Sequence, residues 1–213
     1  MNSKNYAQYN KNAYNNMAPY YKKQGRTKES RIKEEARNFS EYIEKTFERP
    51  KILEIGPGAG VGLGEFEARG FDTTAIDVSE KMIEISKETA PKTKYLVGNF
   101  IDHQLRSKEY DGVFGRSVIH LFPYQKAFEF VEKCYRILTN KGLLHLSTFN
   151  YEFPQEGIKE KIMEDKNFRR FKREWTHREL EHLAKNSSFR KTYIDNKEKG
   201  HNKGNKTIMQ LIK

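Results

Sequence analysis

The chain has 213 residues, with 40 Lys+Arg against 29 Asp+Glu, 36% hydrophobic residues and one cysteine, Cys134. This length supports one domain with a sizeable core, and a single cysteine excludes both an intramolecular disulfide and a Cys-rich zinc site. No apolar run reaches the ~20 residues of a membrane helix, and the start, M-N-S-K-N-Y-A-Q-Y-N, has no signal-peptide core, so the expectation is a soluble cytoplasmic protein without a membrane partner.

The net charge of +11 is unevenly spread: residues 51–150 are neutral, and the two flanks carry +5 and +6. Basic flanks either attract a polyanion or are simply solvated faces. Residues 1–28 are rich in Asn and Tyr (Tyr6, Tyr9, Tyr14, Tyr20, Tyr21) with little apolar periodicity, and read as a lid over a pocket or as a tail. From 29 to 48, Ile32, Ala36, Phe39, Ile43 and Phe47 recur at helical spacing, ended by Arg49-Pro50.

Next comes K-I-L-E-I-G-P-G-A-G, a buried strand over 51–55 that runs into a glycine turn at Gly56, Pro57, Gly58 and Gly60. A helix follows over 61–68. A strand, a glycine turn and a helix start together bring backbone N–H groups close to a ligand, although such turns also serve plain packing. No Lys-Ser/Thr follows the turn, so it is not a P-loop. The second strand, 72–76, ends at Asp77, about 20 residues past the turn, where an acid can accept both hydroxyls of a ribose. Ser79 fits a helix N-cap, with Met82 on that helix.

Strand three spans 94–97 and leads into Gly98-Asn99-Phe100. Strand four, 110–115, leads into R-S-V-I-H-L-F-P, which places Arg116 and Ser117 at a strand end facing the cleft. His120 fits either a general base or a core histidine. A helix over 124–139 carries Cys134 on its apolar face, so the thiol is a core residue. Strand five is 143–149. Residues 155–187 read as two helical stretches, the first basic and interleaved with Phe168, Phe171 and Trp175, which either stack on bases or pack on the core. Thr176 with Glu179 forms a capping box for the second stretch. Strands six (189–195) and seven (206–211) flank a polar, basic loop and end the chain.

The segments I-L-E-I-G-P-G-A-G, A-I-D-V-S, V-G-N-F and Y-D-G-V-F-G-R-S together resemble the class I S-adenosylmethionine-dependent methyltransferases. The resemblance implies an α/β fold: a Rossmann-like, seven-stranded, mostly parallel sheet with an antiparallel C-terminal strand. The methyltransferase domain would be 29–213, with 151–187 a helical segment that shapes the substrate pocket, and 1–28 the lid.

The implied cofactor is S-adenosyl-L-methionine, leaving as S-adenosyl-L-homocysteine. Its implied contacts are Glu54, Gly56, Pro57, Gly58, Asp77, Val78, Met82, Asn99, Phe100, Arg116 and Ser117. Glu54 would serve the cationic methionine end, Asp77 the ribose, and Phe100 would stack on the base. Asn99 stands where the family often has an acid for the adenine amine, with Asp102 as a second candidate. His120 and Tyr20 are the candidate catalytic residues, and no metal ligand set is read. The first expectation is a small-molecule acceptor, with the protein a monomer or homodimer. RNA methylation through the basic flanks is the alternative, and a non-catalytic cofactor-binding module is the third reading.

Overall fold

The computed structural model describes residues 5–197 and 205–213; residues 1–4 and most of the basic loop read between the last two strands lie outside it. Among the described residues, nine strands and five helices occur in the order α1 (Tyr6–Thr46), β1 (Lys51–Ile55), α2 (Val61–Ala68), β2 (Asp72–Asp77), α3 (Glu80–Thr89), β3 (Lys94–Val97), β4 (Tyr110–Arg116), α4 (Tyr124–Ile137), β5 (Leu138–Phe149), β6 (Gln155–Met163), β7 (Lys166–Glu174), α5 (His177–Lys185), β8 (Lys191–Lys197) and β9 (Lys206–Ile212). Seven of the strands form one sheet in the order β3-β2-β1-β4-β5-β9-β8. β1 to β5 run parallel, and β9 is antiparallel to both β5 and β8. The expected α/β architecture is therefore the observed one.

Burial on both faces explains the apolar strands. On one face Phe39 and Ile43 of α1 and Leu63 and Phe66 of α2 pack with Ile52, Phe114 and Leu143. On the other, Phe130, Val131 and Cys134 of α4 and Leu180 and Leu183 of α5 cover Leu53, Val113, Leu144 and Leu146. Cys134 is a buried core thiol, as its helix face suggests. The chain leaves β1 toward β2 and β3 on one side and continues through β4 on the other, so β1 and β4 flank the switch point where open α/β sheets hold ligands.

Three expectations change. Residues 6–28 are not separate from the next helix: α1 is continuous for 41 residues, with Pro19 inside it. Its buried positions Tyr6, Asn10, Ala13, Tyr14, Met17 and Ala18 do recur at helical spacing. The periodicity is carried partly by Tyr and Asn, so an apolar count passes over it.

Residues 155–174 form a β-hairpin instead of a helix, and α5 alone is helical in that segment. Cross-strand pairing sets Glu156 opposite Arg173 and Glu160 opposite Arg169, contacts that the local spacing of Ile158, Ile162, Phe168 and Phe171 conceals. The capping box at Thr176 and Glu179 is present. The third change is at element ends: α4 stops at Ile137, β5 begins at once at Leu138, and β8 runs two residues later than its expected span.

Candidate active site

A cleft of about 480 Å³ opens at the carboxyl ends of β1, β2 and β4. Its floor is the turn after β1. Gly56, Gly58 and Gly60 all have positive φ, at 68°, 61° and 76°. At Gly60 a Cβ would stand 2.7 Å from the Ser86 carbonyl oxygen, so this turn can bear no side chain there. Gly62, in the first turn of α2, is a requirement that motif reading passed over: a Cβ there would lie 2.9 Å from Glu54 Oε2.

Two carboxylates stand at neighbouring strand tips. Glu54 is 3% exposed, and its Oε2 has no hydrogen-bond partner among the described residues. Burial pushes its carboxyl up to about 8, against the opposing pull of Arg116 and the Leu63 backbone N–H. Asp77 accepts from the Ser79 backbone N–H at 2.9 Å. Burial raises it to about 7, although the N–H groups of Ser79 and Val78 favour its ionised form. Two acids held near neutrality by burial fit a ligand that brings positive charge and hydroxyl donors. Ser79 caps α3 through the Met82 N–H at 3.1 Å, and Met82 is buried at the cleft edge.

Gly56, Pro57, Gly58, Val78, Asn99, Arg116 and Ser117 all line this cleft. Ser117 is a non-glycine residue with φ 55°, and its N–H donates to the Ser147 carbonyl at 2.6 Å. Strain of this kind is held where the fold over-determines it. Asn99 spends its amide hydrogens on Tyr6 Oη (3.2 Å) and Asp102 Oδ2 (2.7 Å), which leaves mainly its carbonyl oxygen for an amine donor. Asp102 is exposed and sits behind Asn99, away from the cleft lining.

Phe100 reaches the cleft but is 2% exposed, with Phe130 at 4.9 Å and the Lys133 ammonium 5.1 Å from its centroid. Its ring is engaged in core packing, which corrects the expectation of a free stacking face.

α1 forms the roof. Tyr6, Asn10, Tyr14 and Tyr21 line the cleft. Lys11 pairs with Glu80 at 2.6 Å, Asn15 Oδ1 accepts from Ser79 Oγ at 2.6 Å, and Asn10 Nδ2 donates to the Leu121 carbonyl at 3.1 Å. Tyr20 is not among the lining residues. Its ring meets Phe168 edge-on at 5.4 Å, because a position one residue before Tyr21 faces a different side of the helix.

The far wall is the β6–β7 hairpin, which contributes Lys161, Arg170 and Lys172, with His120 beside them in a short 3-10 turn (Ile119–Leu121). Burial, and then the charges of Arg170, Lys172 and Lys161, hold His120 well below its usual pKa. The imidazole is therefore neutral at physiological pH and can accept a proton only weakly.

Beneath Arg116 lies a charged cluster that sequence reading missed. Glu35 of α1 accepts from Arg116 Nε at 2.9 Å and Ser147 Oγ at 2.7 Å, and pairs with Lys206. Burial alone would raise the Glu35 carboxyl, but His145, Arg116 and Lys206 outweigh it and hold it below the usual carboxylate range.

Residues 53–146 match the family described as methyltransferase domain. Among curated proteins, none matches the sequence. Solved structures do resemble it. A Burkholderia thailandensis 1,6-didemethyltoxoflavin-N1-methyltransferase, with bound 1,6-didemethyltoxoflavin and S-adenosylhomocysteine, superposes with a TM-score of 0.74 at 16% identity, covering 100% of this chain and 91% of that one. A Methanosarcina mazei SAM-dependent methyltransferase has a TM-score of 0.63 at 17% identity, over 78% and 93% of the two chains. A SAM-bound amino pentose methyltransferase from Micromonospora echinaspora involved in calicheamicin biosynthesis has 0.61 at 12%, over 84% and 91%. At such identities the likeness is one of fold. Residues 53–146, which carry the glycine turn and both strand-tip acids, match a methyltransferase domain, and the chain shares its fold with these methyltransferases.

Proposed function

We propose that the protein methylates a small molecule bound between the strand tips and the hairpin, under the roof of α1. The observation that carries this reading is the pair of acids at the tips of β1 and β2, Glu54 buried with an unpartnered oxygen and Asp77 held by backbone N–H groups, facing a cleft floored by glycine. These residues fit S-adenosyl-L-methionine. Asp77 suits the ribose hydroxyls, Glu54 the positively charged methionine end, and Gly56 to Gly58 leave room for close approach. Asn99, Val78 and Met82 suit the base. When bound, the cofactor supplies a methyl group already activated on a sulfonium.

The chain's own work is then positioning and exclusion of water, and alignment alone is worth up to about 7–11 kcal/mol. α1 serves as the lid: its tyrosines close the cleft, and its polar contacts to Glu80, Ser79 and Leu121 are of a kind that can open and re-form. Arg116, held by Glu35, keeps one wall rigid. His120, neutral and at the cleft, is placed to accept a proton from an acceptor already close to ionisation.

A small acceptor is favoured because the space is a cleft of about 480 Å³ roofed by α1, and because a neighbour of the same fold is a 1,6-didemethyltoxoflavin-N1-methyltransferase. The RNA reading loses its aromatic platform: Phe171 is 7% and Trp175 0% exposed, and Phe168 packs on Tyr20. Among the described residues no helix is long and apolar enough to cross a membrane, and the lone cysteine suits a cytoplasmic setting.

The test is calorimetry with S-adenosylhomocysteine, followed by a labelled-methyl screen of metabolite and RNA pools. No binding would refute the cofactor assignment. Incorporation only into RNA would refute the acceptor class.

A further inference from the structure

The hairpin wall carries cations that the described residues do not answer. Arg170 of β7 lines the cleft and is 8% exposed, and its Nε and Nη1 are buried without a hydrogen-bond partner among those residues. Lys161 of β6 also lines the cleft; it donates to the Tyr21 hydroxyl and lies 4.5 Å from that ring's centroid, with no carboxylate of the described residues in reach. The other cleft cations on these walls are already answered: Arg116 by Glu35 at 2.9 Å, and Lys172 by Glu174 at 2.8 Å and the Tyr151 hydroxyl at 2.7 Å. The two cleft acids, Glu54 and Asp77, belong to the strand-tip wall, at the ends of β1 and β2.

A guanidinium carries a fixed positive charge. A buried charge without a partner is unfavourable and is normally met by an opposite one. Arg170 also presents a planar fork suited to two oxygens of one anion. Burial lowers the Lys161 ammonium from its usual range, as expected for a cation awaiting a counter-ion.

From this geometry we infer that the methyl acceptor is an acidic small molecule, and that Arg170 and Lys161 hold its carboxylate or phosphate group. The inference rests on the methyltransferase reading and narrows its substrate class. The oxyanion belongs to the acceptor and not to the cofactor's own carboxylate tail, because Arg170 and Lys161 come from the hairpin wall beside His120 and β4. The glycine turn and the acids suited to the cofactor come from β1 and β2. The same charges favour an ionised acceptor, so a weak base such as His120 suffices.

The experiment uses the full chain as wild type, Arg170→Met and Arg170→Lys, each checked for folding by circular dichroism and thermal melting. Calorimetry measures S-adenosylhomocysteine and 5′-methylthioadenosine, a nucleoside lacking the carboxylate tail. The protein saturated with S-adenosylhomocysteine is then titrated with inorganic phosphate and with succinate, read by thermal shift. The low-mass filtrate of a cell extract, split on an anion exchanger, is finally offered with labelled cofactor.

The expected result is unchanged affinity of Arg170→Met for both nucleosides and loss of the phosphate or succinate shift, with partial recovery in Arg170→Lys. Methyl incorporation is expected in the retained fraction, with KM raised about thirtyfold or more in Arg170→Met. If Arg170→Met weakens S-adenosylhomocysteine but not methylthioadenosine, the anion is the cofactor's own, and the inference fails while the methyltransferase reading stands. It fails in the same way if the anions give no shift in wild type, or if incorporation falls in the unretained fraction. Wild type that binds neither nucleoside overturns both readings.

Discussion

The two walls of the cleft differ in sign and in origin. The strand-tip wall is made from two short stretches, 54–62 and 77–82, and carries two acids. The hairpin wall is made from residues over 60 positions further on and carries three cations, and α1, from the other end of the chain, closes over both. On the proposed reading the acidic wall faces the cofactor and the basic wall faces the methyl acceptor. A cleft with an acidic wall and a basic wall can orient a cationic cofactor and an anionic acceptor without a separate device for each.

The largest effect is expected where roof and sheet meet. Glu35→Ala removes the carboxylate that Arg116 and Lys206 share, and should destabilise the fold by about 3–5 kcal/mol in urea titration. A change under about 1 kcal/mol would mean that the roof is not tied to the sheet by this cluster.

At the acidic wall, Asp77→Ala should weaken S-adenosylhomocysteine by about 3 kcal/mol in calorimetry, as expected for two hydrogen bonds to a charged group. Equal affinity would detach Asp77 from the ribose. Gly62→Ala should weaken the same ligand by about 1–2 kcal/mol, because the new methyl group displaces the Glu54 carboxylate.

The smallest effect separates the walls by pH. Burial holds Glu54 and Asp77 near 8 and 7 in the free protein. A ligand that favours their ionised forms must release protons when it binds near pH 7. Affinity should therefore rise between about pH 6 and pH 8, and calorimetry in buffers of different ionisation enthalpy should show net proton release. The folded-state pKa values lie above the unfolded ones, so these acids favour folding most below about pH 4, and that contribution fades as pH climbs towards 8. Glu54→Gln should then gain stability over wild type at pH 8, with the gain shrinking towards pH 4 in thermal melts. A gain independent of pH would show that Glu54 does not titrate in that range.

Legibility followed the range of the interactions. The turn at Gly56 to Gly60 and the acid at Asp77 were readable because strand, turn and helix start are adjacent in the chain. Tyr14 and Tyr21 were visible only as members of a tyrosine-rich segment, because their face of α1 is aromatic and polar and not aliphatic. Tyr20 faces Phe168 and Tyr21 the cleft for a related reason: which tyrosine faces the cleft depends on the phase of a helix that has no aliphatic stripe in the sequence. The hairpin escapes a local reading because Ile158, Ile162, Phe168 and Phe171 fit a helical spacing, whereas the cross-strand register, which sets Glu156 opposite Arg173 and Glu160 opposite Arg169, exists only in the folded chain.

By itself the sequence determined the alternation of strands and helices, the glycine floor and the strand-tip acids, all consequences of short-range pattern, and it is the resemblance of those motifs to a known family that adds the methyltransferase reading. Tertiary structure alone decided that Glu35 answers Arg116 across 81 positions, that a continuous helix roofs the cleft, and that Arg170 is buried there with two nitrogens unanswered by the described residues. The physical reason is that burial and charge pairing depend on which segments pack together, and such packing leaves no local period to read.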